Sequence, residues 1–145
     1  MKVQFAYLIT YRKKFNSFAA RNWIRKIIEA EGRKPGKIIF IFSGNDYLQK
    51  LNKEFLNHDY ATDVITFSDN IRDLINGEIY ISLEQVRLNA NSFKSPERNE
   101  LLRVMVHGVL HLIGYEDDVP MKRAVMSEKE DEYIVMAMEQ FKLMK

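Results

Sequence analysis

Ser95-Pro96-Glu97-Arg98-Asn99-Glu100-Leu101-Leu102-Arg103-Val104-Met105-Val106-His107-Gly108-Val109-Leu110-His111-Leu112-Ile113-Gly114-Tyr115-Glu116-Asp117-Asp118 is the stretch that decides how the chain is read. Ser95 can cap a helix, Pro96 suits a first turn, and Glu97 favours the positive end of the helix dipole. From Val104 to Ile113 the helix is apolar on nearly every side, which predicts a buried central helix rather than a surface one. His107 and His111 lie four residues apart and therefore share one face, about a turn from each other. That spacing lets both rings reach one ion.

Asp117 follows six residues after His111, and at about 100° per residue an unbroken helix would carry it away from the histidine face. Gly114 removes that objection, because glycine at a helix end readily takes the left-handed conformation that stops the helix. The chain can then fold back and bring Asp117 to the same point. Two neutral imidazoles and one carboxylate, with room left for water, are the pattern of a catalytic rather than a structural zinc site. Nickel or non-haem iron takes the same donors. The plainer alternative is two core histidines bonded to backbone carbonyls, with the acids in a solvated loop. Against it stand two of the chain's three histidines at ligand spacing, followed by a glycine break and an acidic cluster. The residue after His107 is Gly108 and not glutamate, so the helix lacks the general base of an HExxH protease.

The run resembles the signature of the YbeY family of bacterial endoribonucleases, H-G-x-L-H-L-x-G-[YH]-D-H. His107, Gly108, Leu110, His111, Leu112, Gly114 and Tyr115 match it as they stand. Glu116 stands where the family usually has Asp, and Asp117 where it usually has a third His. A second block, Leu51-Asn52-Lys53-Glu54-Phe55-Leu56-Asn57-His58-Asp59-Tyr60-Ala61-Thr62-Asp63-Val64-Ile65-Thr66-Phe67, is similar to the family's L-N-x-x-[YF]-R-x-x-D-x-[PA]-T-D-V-[LI]-[ST]-F. Gly77-Glu78-Ile79 is similar to the Gly-Asp-Ile that follows it. Taken by itself, this second block is a helix end, a polar loop and the start of a strand, where Thr62 or Asp63 would bond local backbone.

The resemblance implies a zinc-dependent endoribonuclease that prefers single strands, acting at the 3′ end of small-subunit ribosomal RNA and in ribosome quality control. His107, His111 and Asp117 would hold the ion, with Asp117 preferred to Asp118 because it falls in register. Glu116, Asp118 and Asp63 stand as groups that orient ligands or shuttle a proton. The expected partners are single-stranded RNA and the small ribosomal subunit, with no DNA or membrane, for a monomer in the cytoplasm. One departure matters for substrate binding. The family block's Arg, a phosphate-contacting residue, is Leu56 here, and Arg72, Arg87, Arg98 and Arg103 are the candidates to replace it. Two other functions stay open: a ribosome- or RNA-binding factor that the metal only stabilises, and a metal-dependent hydrolase of a non-RNA substrate such as a peptide.

The rest of the chain sets the frame. Its 145 residues suit one domain with a substantial core, and 46% hydrophobic and 29% charged residues are ordinary for a globular protein. A net charge of +2 means that any basic footprint for nucleic acid must be local. Without cysteine there are neither disulfides nor thiolate ligands. Val3–Ile9, which runs into Tyr11-Arg12-Lys13-Lys14, is too short to span a membrane and has no cleavage pattern, so it reads as a first strand.

A helix follows from Ser17 to Gly32, with Trp23, Ile24, Ile27 and Ile28 in one stripe. Pro35-Gly36 reads as a turn, Ile38–Phe42 as a strand covered on both faces, and Ser43-Gly44-Asn45-Asp46 as a helix start. Behind that start lies the stripe Tyr47, Leu48, Leu51, Phe55. Val64–Phe67 and Gly77–Ile81 read as strands either side of a polar loop over 68–76, and Ser82–Gln85 as a capping box for a helix to Phe93. A last helix starts at Pro120. Its charged first half, Lys122 to Glu132, reads as a solvated face, and Ile134, Ala137, Met138 and Phe141 point to the core. The sum is an α+β fold: one four-stranded mixed sheet with about five helices, and a metal site at the end of the buried helix.

Overall fold

The architecture is that of a computed structural model, which describes residues 2–10, 15–58 and 62–142. Among them, four strands and five helices follow in the order β1 (Lys2–Tyr7), α1 (Ser17–Ala30), β2 (Lys34–Ser43), α2 (Asn45–Leu56), β3 (Val64–Ser68), β4 (Leu74–Ser82), α3 (Leu83–Ser92), α4 (Glu97–Ile113) and α5 (Pro120–Gln140). The strands form one mixed sheet in the order β1-β2-β4-β3. β1 and β4 run parallel to β2, and β3 closes one edge antiparallel to β4. The expected α+β fold is the one observed.

β2 and β4 are the central strands, and their β-branched and aromatic runs are buried accordingly. Ile38, Phe40, Phe42, Ile75, Ile79 and Ile81 have no exposed surface. α4 lies across this sheet and touches β3, β4, α1, α3 and α5. Its residues from Val104 to Ile113 are buried except His107 and His111, so only the histidine strip is left partly open. At Gly108 the helix lies close against the sheet. A Cβ there would sit 2.7 Å from Cγ2 of Ile79. The glutamate of a protease helix is therefore excluded by packing as well as absent from the sequence.

Several local expectations are corrected. α4 is capped by the Pro96 backbone and not by the Ser95 side chain, whose hydroxyl only approaches the Pro96 carbonyl. The N-cap of α2 is Gly44, since Ser43 ends a buried strand; Glu84 of α3 accepts from the Asn45 amide instead. Ser82, by contrast, caps α3 through the Gln85 amide as expected. Pro35-Gly36 is no turn but lies within β2, at a register shift where Asn76 and the Ile75 carbonyl come too close for any Cβ at Gly36. Leu74–Asn76, expected in a loop, already belong to β4, and β1 ends at Tyr7 rather than Ile9. Tyr47, Phe55 and Met138 are exposed rather than in the core. Tyr47 stacks on Tyr80, and Phe55 meets Phe67 edge-on. Tyr11–Lys14 and Asp59–Ala61 lie outside the described residues.

Candidate metal centre and active site

His107 and His111 sit in the last two turns of α4. Gly114, at φ +123°, ends the helix, and its amide bonds the carbonyls of Leu110 and His111. This is the stop that the sequence suggested, and it returns Asp117 to the histidine face. Nε2 of His107 lies 2.9 Å from Nε2 of His111, and Oδ2 of Asp117 is 3.2 Å and 3.5 Å from them. Asp118 instead lies 3.6 Å from Lys122 on the outer side, together with Glu116 at 2.7 Å. The register that selects Asp117 is thus also its geometry, and Glu116 and Asp118 turn away from the cluster.

The other nitrogen of each ring fixes its role. Nδ1 of His111 is 2.9 Å from the Tyr115 carbonyl oxygen, which can only accept, so His111 carries its proton at Nδ1. Nδ1 of His107 is 2.6 Å from Oε2 of Glu130, and an ionised carboxylate requires the same tautomer there. Both Nε2 lone pairs then point with the Asp117 carboxylate at one small volume. Three acceptors this close repel one another unless a proton or a cation lies between them. Two imidazoles and a carboxylate whose donor atoms all lie within 4.8 Å of each other can hold a divalent metal ion.

Tyr115 is itself held at its far end, where its hydroxyl donates to Oε1 of Glu31 at 2.5 Å. The Tyr133 hydroxyl and Lys129 bind the same carboxylate from α5. Burial alone would raise the Glu31 pKa, but bonds from Tyr115, Tyr133 and Lys129 outweigh it and hold it below the ordinary range.

Glu130 is the residue that sequence reasoning missed. It sits in the charged run expected to be solvated, yet it is only 5% exposed. Its Oε1 accepts from Arg103 at 3.0 Å while Oε2 serves His107, and Arg103 reaches on to Asp131 at 2.7 Å. A signal was present: Met126, Glu130, Tyr133 and Ala137 recur at three- and four-residue steps, and all are buried. Burial lowers the pKa of His107, but the bond and charge of Glu130, then Asp117 and Asp63, more than reverse this. His111 is shifted down, by burial first and then by the charge of His107.

The cluster opens on two sides. Between α4 and α5 lies a cleft of about 320 Å³ whose lining includes Asp63, Glu100, Arg103, His107, Asp117, Arg123 and Glu130. Toward α2 a second cleft of about 270 Å³ is lined by Asn52, Leu56, His58, Thr62, Val64, Ile65, Thr66 and His111. The two sequence blocks therefore meet at one place. Asp63 accepts from Asn89, and burial pushes its carboxyl above the usual range. Thr62 makes the local bond anticipated for it, to the Val64 carbonyl. Of the four arginines weighed as substitutes at Leu56, only Arg103 lines either cleft among the described residues, and its charge is taken up by Glu130 and Asp131.

The model of the family Endoribonuclease YbeY matches residues 8–137. A Flavobacterium psychrophilum protein named Endoribonuclease YbeY is 48% identical over 111 residues, spanning 77% of this chain and 79% of its own. One of the same name from Christiangramia forsetii is 45% identical over 116 residues, spanning 80% and 81%. Among solved structures, the solution structure of TM1509 from Thermotoga maritima superposes with a TM-score of 0.64 at 28% identity, over 98% of this chain and 92% of that one. With a family model covering most of its length and relatives this close, the chain belongs to the YbeY family.

Proposed function

We propose that this chain is a metal-dependent endoribonuclease that cuts single-stranded RNA in ribosomal RNA maturation, at the 3′ end of the small-subunit RNA, and serves in ribosome quality control. The reading extends to zinc as the ion, to the small ribosomal subunit as partner and to a cytoplasmic monomer. The observation that carries it is the convergence of the Nε2 atoms of His107 and His111 with Asp117 at the meeting point of two open clefts. It stands in a chain whose relatives are named endoribonucleases. When bound, a divalent ion supplies a Lewis acid for water or for a phosphoryl oxygen. The protein groups do the rest. Glu130 and the Tyr115 carbonyl keep both rings in the ligating tautomer and orientation. Asp63, with its raised pKa and its place in the α5-side cleft, takes or gives a proton.

The test is His111→Ala. Metal-stripped and reloaded wild-type protein retains about one equivalent of zinc and makes internal, chelator-sensitive cuts in labelled single-stranded RNA. The variant loses both. Undiminished cleavage by His111→Ala after rigorous metal removal would overturn the proposal. Leu56 favours a second reading, a metal-stabilised RNA-binding factor, because it leaves His58 as the one basic side chain besides His111 among the residues lining the α2-side cleft. That reading expects RNA binding without turnover, and a melting temperature that drops on chelation.

A further inference from the structure

A polyanionic substrate needs a cation beside the reacting centre, and among the described residues the α2-side cleft offers none with a permanent charge. The cleft on the other side of the histidines does. α5 presents Arg123, Ser127 and Glu130 along one strip at three- and four-residue spacing, opposite Glu100, Arg103 and His107 on α4. Three of these groups are already committed to one another: Glu130 bridges His107 and Arg103, and Arg103 also binds Asp131. Lys122, next to Arg123, is drawn outward by Glu116 and Asp118.

Arg123 is different. Among the described residues it forms no ion pair with a carboxylate, and its one bond is a long one, 3.4 Å from Nη1 to the Asp117 carbonyl oxygen. That contact places a guanidinium one residue's backbone away from a carboxylate of the metal cluster, in a cleft that His107 and Asp117 also line. Five N–H donors in a planar fork, with at most one engaged, match the oxygens of a phosphodiester.

The geometry points to Arg123 as the residue that binds a backbone phosphate of single-stranded RNA, so that the strand lies in the α4–α5 cleft rather than along α2. This inference rests on the ribonuclease reading above. It assigns to α5 the anion-binding task that Leu56 cannot perform. The cleft's acids are Asp63, Glu100, Asp117 and Glu130, and among the described residues none pairs with Arg123: Glu130 holds His107 and Arg103, Asp117 faces the histidines, and Asp63 accepts from Asn89.

The experiment compares zinc-loaded wild type, Arg123→Ala, Arg123→Lys and Lys122→Ala. It measures kcat/KM on a labelled single-stranded RNA across a potassium chloride series, zinc content by elemental analysis, and binding of a labelled oligouridylate. Arg123→Ala is expected to keep its zinc and lower kcat/KM by about tenfold to a hundredfold, the effect of one hydrogen-bonded charge. It should also flatten the slope of log(kcat/KM) against log(salt) by about 0.7, the share of one single-strand phosphate. Arg123→Lys keeps the charge and loses the fork, so it should retain the slope and recover only part of the rate. Lys122→Ala should change neither.

Wild-type behaviour in Arg123→Ala would overturn the inference, as would an equal effect from Lys122→Ala, which would mean diffuse attraction. Loss of zinc in Arg123→Ala would also overturn it, by reassigning the residue to holding the Asp117 turn. If the wild type cuts no RNA, the nuclease reading falls separately. Oligouridylate binding then decides the matter: weakened binding in Arg123→Ala keeps the phosphate contact, and unchanged binding ends it.

Discussion

Glu130→Gln tests whether the metal centre depends on a residue outside the histidine motif. In the wild type, Oε1 of Glu130 accepts from Arg103 and Oε2 from Nδ1 of His107. Glutamine must turn its NH₂ toward one of these donors. The less costly choice faces Arg103, which is partly exposed and keeps Asp131, while the amide oxygen stays on His107. Ring orientation then survives but the carboxylate charge is gone, which predicts the low end of the usual cost of an outer-shell change, about tenfold in zinc affinity. Glu130→Ala, which leaves Nδ1 without an acceptor, belongs nearer a hundredfold, so the pair spans about 1.4 to 2.7 kcal/mol.

Acidity sharpens the test. Glu130 helps hold the His107 pKa above its ordinary value despite burial. In ion-free protein a protonated His107 therefore adds stability below about pH 6.5, and that stability is lost as pH rises through the raised folded value. The zinc must displace the same proton, so affinity falls as pH drops through that value. In Glu130→Gln the folded value should move down, so its acid-side stability gain shrinks. Competition against a chromogenic chelator at a pH above the His107 titration of both proteins isolates orientation from proton competition. Ring titration by NMR on ion-free protein reads the pKa. Unchanged zinc affinity in both variants, with an unmoved His107 titration, would refute the reasoning.

Tyr115→Phe removes the hydroxyl that ties the post-helix turn to Glu31 and leaves the carbonyl that orients His111. Ion-free protein should lose about 1 to 3 kcal/mol in denaturant unfolding, since a charged acceptor loses one of its donors. Zinc affinity should fall as well, and a titration showing it intact would mean that the turn holds His111 without its anchor. Gly108→Ala sets an overpacking cost of about 1 to 3 kcal/mol against Ile79 against a helix-propensity gain of about 1 kcal/mol, so the melting temperature should fall. A rise would show that β4 yields to α4.

What the sequence made legible was local. The α4 stripe and the Gly114 stop are set within a dozen residues, by helical periodicity and by one glycine's backbone freedom, whereas the choice of Asp117 over Asp118 comes from the resemblance to the family's register. The sheet strands were equally plain, because their β-branched runs have no other stable use. What escaped depends on packing between distant segments. Pro35-Gly36 carries turn chemistry, but Ile75, about forty residues later, pairs with Pro35, and the Asn76 side chain accepts from the Lys37 amide, which makes the stretch strand. Tyr47 and Phe55 follow a helical stripe, yet both stay exposed and pair with Tyr80 and Phe67 of the sheet instead of entering the core.

Glu130 shows why a site can be half legible. Ligand atoms must be close to one another, and a helix followed by a tight turn can arrange that from neighbouring residues. The nitrogen of each imidazole that does not ligate needs an acceptor of its own, and chain geometry does not oblige that acceptor to be near in sequence. For His111 it is, at Tyr115; for His107 it is 23 residues on, in α5. A charged side chain in an amphipathic helix reads as solvent-facing until the helix it packs against is known to carry a histidine at that level. Here α5 places Glu130 in its buried stripe, and that carboxylate is tolerated because it has two donors to satisfy. The centre is therefore a property of the α4–α5 interface. A chain could keep every residue from His107 to Asp117 and still hold an ion about tenfold to a hundredfold more weakly through one substitution in its last helix.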